Sequence, residues 1–128
     1  MADVNRGNRP LSPHLEIYRP QMSSVSSIFI RLTGVALSAG FALLVFWLIT
    51  VMMGAQTYTK FTPFFTHWFV DLIWIGSVWA LMYHLLGGIR HLIFDMGYGF
   101  DLKTSDMMGW AMILGSFILT AIVIWGAF

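Results

Sequence analysis

A histidine lies in the middle of a long apolar stretch and is the first candidate for chemistry in this chain. His84 is part of LMYHLLGGIRH, residues 81–91. An ionisable side chain inside a membrane is costly, so such residues usually have a function. The imidazole nitrogen of histidine is also a frequent ligand of haem iron.

Four residues share one stripe of the helix that would contain this histidine: His84, Gly88, His91 and Asp95. They are three or four residues apart, which places them on one helical face. Gly87 and Gly88 carry no side chains, so a flat macrocycle could approach the backbone there. The spacing alone leaves three interpretations of His84 open: haem ligation, a hydrogen bond to a neighbouring helix, and a proton path.

A low-spin electron-transfer haem takes two axial protein ligands, and the sequence offers no simple second one. His67 lies about 25 Å from His84 along the helix, at 1.5 Å per residue. His91 lies on the same face as His84 and cannot reach the opposite side of the same iron. Methionines at the start of the third apolar segment are one alternative: Met107, Met108 and Met112. A histidine from another subunit is the simpler solution, so we predict one haem shared with a partner chain.

Arg31 is a second unusual residue, because it lies about one turn inside the first apolar segment. Alone, it would be read as an arginine extending to the membrane surface. At the depth of His84, its guanidinium could instead pair with haem propionates or donate to a quinone carbonyl. Ser27 is four residues earlier and shares its helix face. Ser27 and Arg31 therefore form a polar notch of the kind that a quinone head group needs.

Three long apolar segments must position these side chains. The chain has 128 residues, of which 58% are hydrophobic and only 10% charged, whereas a soluble domain has about 25% charged residues. No charged residue occurs between Arg31 and Lys60, between Asp71 and Arg90, or after Asp106. About 20 apolar residues cross a bilayer as a helix. We predict an all-α membrane protein with three transmembrane helices near residues 28–53, 64–94 and 107–128.

The basic residues predict the orientation of an up-down-up bundle. Six of the seven lysines and arginines fall on the N-terminal side of helix 1 or in the second loop, and only Lys60 lies on the other side. By the positive-inside rule, the N-terminus is cytoplasmic. Arg90 and Asp95 would then end helix 2 at the cytoplasmic surface, solvated or paired.

The remaining features limit the organisation to one membrane-anchor domain over residues 1–128, with a polar cytoplasmic segment at 1–26. Neither connection is long enough for a soluble catalytic domain, and residues 54–63 are expected to form a simple loop. The chain has no cysteine and so no iron–sulfur cluster of its own. Membrane lipid surrounds the protein, and we expect no nucleic-acid partner.

Three sequence elements together resemble a known family. They are RPLSPHLEIY at residues 9–18, SSI followed by RLTG at 26–34, and H followed by GIRHL and D at 84–95. Their combination is similar to the cytochrome b556 membrane-anchor subunits of succinate dehydrogenase, respiratory complex II, and the similarity covers nearly the whole chain. Many bacterial relatives have a histidine just before the arginine, where this chain has Ile30.

The resemblance implies specific roles. His84 matches the axial ligand of one haem b, whose other ligand comes from a second three-helix anchor subunit. Ser27 and Arg31 match positions of the ubiquinone site, and Arg31 also lies close to the haem propionates in such proteins. Gly88 and His91 belong to the haem surroundings, and Asp95 is a candidate for a proton role on the quinone side. Ile30 leaves propionate binding to Arg31, the partner chain or water.

The function that follows is anchoring of succinate:ubiquinone oxidoreductase, with no succinate site on this chain. An iron–sulfur subunit and a flavoprotein subunit would be further partners, in a bacterial inner membrane or, alternatively, a mitochondrial one. One rival is the anchor of a quinol:fumarate reductase working in the reverse direction. A rival of another class is a haem-free structural subunit, or a small transporter subunit, in which His84 and Arg31 only pair polar groups.

Overall fold

All regular structure in the described part of the chain is helical. The computed structural model describes residues 18–127, and within it four helices follow one another: α1 Met22–Met52, α2 Ala55–Phe65, α3 Trp68–Asp95 and α4 Leu102–Ala127. Helices α1, α3 and α4 are long and apolar enough to cross a membrane. The predicted all-α membrane fold with three spans is therefore confirmed. Most of the N-terminal polar segment, including the motif before Tyr18, lies outside the described residues.

Helices α1 and α4 begin earlier than predicted because polar residues cap them. Helix α1 begins at Met22 instead of near residue 28. There the Gln21 backbone N–H donates to Ser24 Oγ at 3.2 Å, and the Ser24 hydroxyl lies 2.9 Å from the Gln21 carbonyl. Helix α4 begins at Leu102 instead of near residue 107, because the Asp101 carboxylate accepts the Thr104 backbone N–H at 2.9 Å.

The predicted simple loop after α1 is wrong, because most of it folds into the short helix α2. Phe65 is buried at the end of α2, and its ring centroid lies 5.4 Å from that of Phe46 on α1. Phe61 packs edge-on against the same ring at 5.4 Å. These aromatic contacts stabilise α2 although Pro63 lies inside it. As a result, α3 begins at Trp68 instead of near residue 64.

Helix α3 lies between α1 and α4 and packs against both. On one side a Cβ at Gly34 would touch the His84 ring, and one at Gly40 would overlap Ser77. On the other side Trp79 Nε1 donates to Ser116 Oγ at 3.1 Å, and Leu86 lies against Gly115. Small residues therefore line both contacts and allow close approach of the helices.

Candidate functional site

The site is built around His84 on α3, whose ring leans against α1. His84 Nδ1 lies 3.2 Å from the Ile30 carbonyl oxygen and 3.3 Å from Thr33 Oγ1. A Cβ atom at Gly34 would lie 3.4 Å from the ring carbon Cε1, an ordinary van der Waals distance. Contacts with three residues of α1 thus hold the imidazole of α3 in place.

The contact with Ile30 decides which ring nitrogen carries the proton. A backbone carbonyl oxygen can only accept a hydrogen bond, so Nδ1 is the protonated nitrogen of the neutral imidazole. The lone pair of the ring is then on Nε2. No hydrogen bond from the described residues reaches Nε2. Histidines that bind metals characteristically use one nitrogen for the metal while the other N–H donates to a carbonyl or carboxylate.

The two glycines beside His84 have different environments. Gly87 is buried, and a Cβ there would come within 2.8 Å of the Ile30 side chain and 3.2 Å of Met112. The gap at Gly87 is therefore filled by the protein itself. Gly88 is exposed and has open space where its side chain would be. Of these two glycines, Gly88 is therefore the one that leaves room for a flat group beside α3.

Arg31 and Ser27 lie on the side of α1 that adjoins His84. Gly34, which contacts the imidazole, is three residues from Arg31, and Ser27 is four residues from it, so the three share a helix face. Arg31 is exposed and Ser27 is half-buried. Within residues 18–127, the Arg31 guanidinium has neither a hydrogen-bond partner nor an ion pair.

His91 and Asp95 continue the exposed stripe of α3 towards its C-terminal end. Neither side chain is hydrogen-bonded to Arg31 or Ser27 in the described part of the chain. His91 packs edge-on against Phe94, with ring centroids 6.4 Å apart. Of the four residues on the predicted stripe, Gly88, His91 and Asp95 are exposed, whereas His84 is half-buried against α1.

The expectation that Arg90 is solvated or paired at the surface is wrong in its location: Arg90 is paired, but inside the bundle. Arg90 is only 5% exposed and donates to Ser26 Oγ of α1 at 3.0 Å. It also donates to the carbonyl and hydroxyl of Ser105 on α4, at 3.2 and 2.8 Å. Its guanidinium carbon lies 4.7 Å from the ring centroid of Phe94. Arg90 therefore joins all three long helices from the inside.

Two further residues at the site were not selected from the sequence: Ile30 as a carbonyl acceptor and Thr33 as a neighbour of the imidazole. Every residue has a backbone carbonyl, so the residue type at position 30 cannot show that this carbonyl accepts a hydrogen bond. Thr33 is part of the RLTG element. Its position beside a glycine, which permits close helix packing, was the only sequence feature that could have indicated a contact with α3. Its contact with His84 becomes visible only when the packing of α1 on α3 is known.

Of the three methionines that the sequence offered as a second axial ligand, Met108 and Met112 pack within the chain and Met107 is exposed. Met112 is buried against Gly87 inside the bundle, and the Met108 sulfur lies at Gly99. In the described residues, no group of three or more histidine, aspartate or glutamate side chains could hold a metal ion.

Comparison with known proteins decides the family. A family model described as Succinate dehydrogenase/Fumarate reductase transmembrane subunit matches residues 5–123. The chain belongs to this family. It is 43% identical to the succinate dehydrogenase cytochrome b556 subunit of Paracoccus denitrificans over 124 residues, which are 97% of this chain and 95% of the relative.

Further relatives from bacteria and a plant are also cytochrome b subunits of succinate dehydrogenase. The cytochrome b556 subunit of Rickettsia conorii is 40% identical over 115 residues, covering 90% of each chain. The succinate dehydrogenase cytochrome b560 subunit of Marchantia polymorpha is 35% identical over 114 residues, covering 83% of this chain and 81% of the relative. The resemblance drawn from the sequence elements is thereby confirmed, and the chain is a multi-pass membrane anchor of the complex II type.

Proposed function

We propose that this chain is the anchor subunit of a succinate:ubiquinone oxidoreductase and supplies one of two axial ligands to a shared haem b. The observation that carries the proposal is the state of His84: Nδ1 donates to a backbone carbonyl, and Nε2 has no partner among the described residues. An unpaired nitrogen inside a membrane is costly. Ligation of iron by Nε2 removes that cost.

The residues around His84 fit a haem on the outer face of α1 and α3. Gly88 leaves open space beside the imidazole, and Arg31 offers a guanidinium on the same side of the bundle for propionates. His91 would complete the surroundings of the haem. A bound haem supplies a one-electron carrier. A second three-helix anchor subunit would supply the other histidine, since α1 and α4 contain no histidine and His67 lies at the far end of α3.

Ser27 and Arg31 are proposed to bind the ubiquinone head group. Both belong to the α1 face next to His84, and Arg31 has no partner in residues 18–127 that would compete with a quinone carbonyl. A guanidinium donates charge-assisted hydrogen bonds, which are stronger than neutral ones. Asp95, exposed at the end of α3, is a candidate for delivering protons on the same side of the membrane.

The assembly and orientation follow from family membership and charge. An iron–sulfur subunit and a flavoprotein subunit are the expected soluble partners of a succinate dehydrogenase anchor. The distribution of basic residues supports a cytoplasmic N-terminus and an up-down-up arrangement of α1, α3 and α4. The Paracoccus and Rickettsia relatives favour a bacterial inner membrane. Succinate oxidation is the proposed direction, because these relatives carry the name succinate dehydrogenase.

An absorption spectrum of the complex purified from membranes tests the haem assignment. We expect the His84→Ala variant to lose the b-type Soret and α bands, or to show them altered. His91→Ala is the matched control, because it removes a second imidazole from the same helix face and should leave a ligated haem. Unaltered bands in the His84→Ala complex would contradict the proposal. Identification of the co-purifying subunits tests the partners.

A further inference from the structure

The hydroxyl of Thr33 lies directly beside the imidazole nitrogen that does not face the proposed haem. Thr33 Oγ1 is 3.3 Å from His84 Nδ1, and it also lies 2.8 Å from the Phe29 carbonyl and 2.9 Å from the Ile30 carbonyl. The hydroxyl has a single hydrogen, which these backbone carbonyls engage. A lone pair of Oγ1 therefore remains on the side of Nδ1.

This arrangement gives the Nδ1 hydrogen two acceptors, Ile30 O and Thr33 Oγ1. We propose that Thr33 is a positioning residue that orients the His84 imidazole and increases the electron donation of Nε2 to haem iron. The proposal rests on the proposed function, since it concerns how the ligand is tuned once His84 binds haem.

The surroundings of Thr33 make it a rigid support. Its side chain is 3% exposed, and a β-branched residue in a helix has a restricted χ1 angle. Its hydroxyl is bonded to the helix that carries it, so it cannot turn away from the ring without losing that bond. Gly34 closes the other side of the imidazole at the Cε1 atom. The plane of the ring is thus defined by contacts with consecutive residues of α1.

The chemical consequence concerns the iron potential. When the ring nitrogen that does not bind iron donates a hydrogen bond, the ligating nitrogen of the histidine becomes more basic. A more basic ligand stabilises the ferric state and lowers the reduction potential, and hydrogen bonding around the ligand is one of the means by which proteins tune haem. Removal of the Thr33 hydroxyl should therefore raise the midpoint potential of the haem.

The test uses the intact membrane complex with Thr33→Val, which keeps the shape of the side chain and removes the hydroxyl. We expect an upward shift of the haem midpoint potential in a redox titration, together with changed g-values of the ferric haem in electron paramagnetic resonance. Thr33→Ser keeps the hydroxyl and should restore values close to those of the unsubstituted complex. These readouts report on the iron and its ligands instead of on the activity of the complex.

Thr50→Val is the matched control, because Thr50 is also buried on α1 and bonds only to the Trp47 carbonyl of its own helix. It should leave the potential unchanged. If Thr33→Val fails to assemble, Thr33→Ala removes the same hydroxyl without adding volume, and the same upward shift is expected. Equal potentials and g-values in the hydroxyl-free and unsubstituted complexes would overturn the proposal.

The experiments distinguish a failure of the Thr33 proposal from a failure of the proposed haem ligation by His84. If His84 is not a ligand, His84→Ala leaves the haem bands unaltered and both ideas fail. If His84→Ala alters the bands while the hydroxyl-free variants keep the original potential, His84 remains the ligand and only the role of Thr33 is rejected.

Discussion

At the scale of single residues, the polar side chains inside this bundle are satisfied with few exceptions. Thr120 and Ser116 bond to carbonyls of their own helix, and Arg90 reaches both neighbouring helices. Unmet polar groups are costly in a membrane. Within residues 18–127, Arg90 Nε is the buried side-chain atom without a partner, whereas the unpaired His84 Nε2 and Arg31 lie towards the outside of α1 and α3. Unsatisfied groups on one face indicate where ligands or a partner subunit bind.

Arg31→Leu should separate the two activities of the assembled complex. A hydrogen bond to a charged group contributes about 1.5–3 kcal/mol, and each 1.4 kcal/mol is about tenfold. We expect quinone reduction to fall roughly 10- to 100-fold while succinate oxidation by artificial dyes is retained. Arg19→Leu, an exposed arginine just outside α1, is the control and should preserve both activities. Equal retention of both activities in Arg31→Leu would place the quinone pocket elsewhere.

At the scale of helices, the close approach of α1 to α3 depends on Gly87. Its missing side chain makes room for Ile30, whose carbonyl in turn holds His84. Gly87→Ala would add a methyl group to this contact, and such overpacking typically costs about 1–3 kcal/mol. We expect reduced haem content and a lower thermal midpoint for haem release, measured by absorbance of the purified complex.

Gly76→Ala is the matched control for that substitution. Gly76 lies on the same helix but has nothing within 4 Å of the added methyl group. Alanine favours helices over glycine by about 0.5–1 kcal/mol, so Gly76→Ala should be neutral or slightly stabilising. If both variants behave alike, the contact between Gly87 and Ile30 does not control the position of His84.

The start of α4 should depend on pH through Asp101. The Thr104 side chain and then its backbone N–H donate to this exposed carboxylate and lower the pKa of Asp101 below its ordinary value. A lowered pKa in the folded state means that the capping contribution is fully present above the ordinary aspartate pKa. It is lost as the pH falls through the lowered value. We expect faster hydrogen exchange of the Thr104 amide at acidic pH, after correction for intrinsic exchange.

Asp101→Asn distinguishes titration from a general effect of acid. Asparagine caps a helix about as well as aspartate but does not titrate. Protection of the Thr104 amide should therefore become independent of pH in this variant. If the same acidic loss persists in Asp101→Asn, a group other than the Asp101 carboxylate is responsible.

The helices also show which parts of the fold and of the site could be predicted from the sequence. Long intervals without charge located the three spans, because a charge in hydrocarbon is costly whatever the packing. Helix α2 was missed because it depends on contacts between helices, such as Phe65 with Phe46. The starts of α1 and α4 were missed although the polar contacts of Ser24 and Asp101 there are local in sequence. His84 was found from its type and position. The burial of Arg90 was not, because nothing in the sequence shows that Ser26 and Ser105 meet it.

At the scale of the whole molecule, most of each span remains exposed on the surface of the described chain. A membrane or partner subunits must cover these apolar surfaces, since exposed areas of this extent are not stable in water. Charge then decides the direction of insertion. Lys60 on α2 is the single basic residue between α1 and α3, whereas the described basic residues at the other end of the bundle are Arg19, Arg31, Arg90 and Lys103.

The absence of cysteine from the sequence makes this orientation directly measurable. Thr59, exposed on α2, and Lys103, exposed in the first turn of α4, lie at opposite ends of the bundle. In intact spheroplasts, a membrane-impermeant maleimide should label Thr59→Cys and spare Lys103→Cys. Lys103→Cys should react only after permeabilisation and mild denaturation, which remove the membrane barrier and any soluble partner. The reverse pattern would place the N-terminus outside, and Ser27 and Arg31 would then lie on the wrong side to meet soluble partners in the cytoplasm.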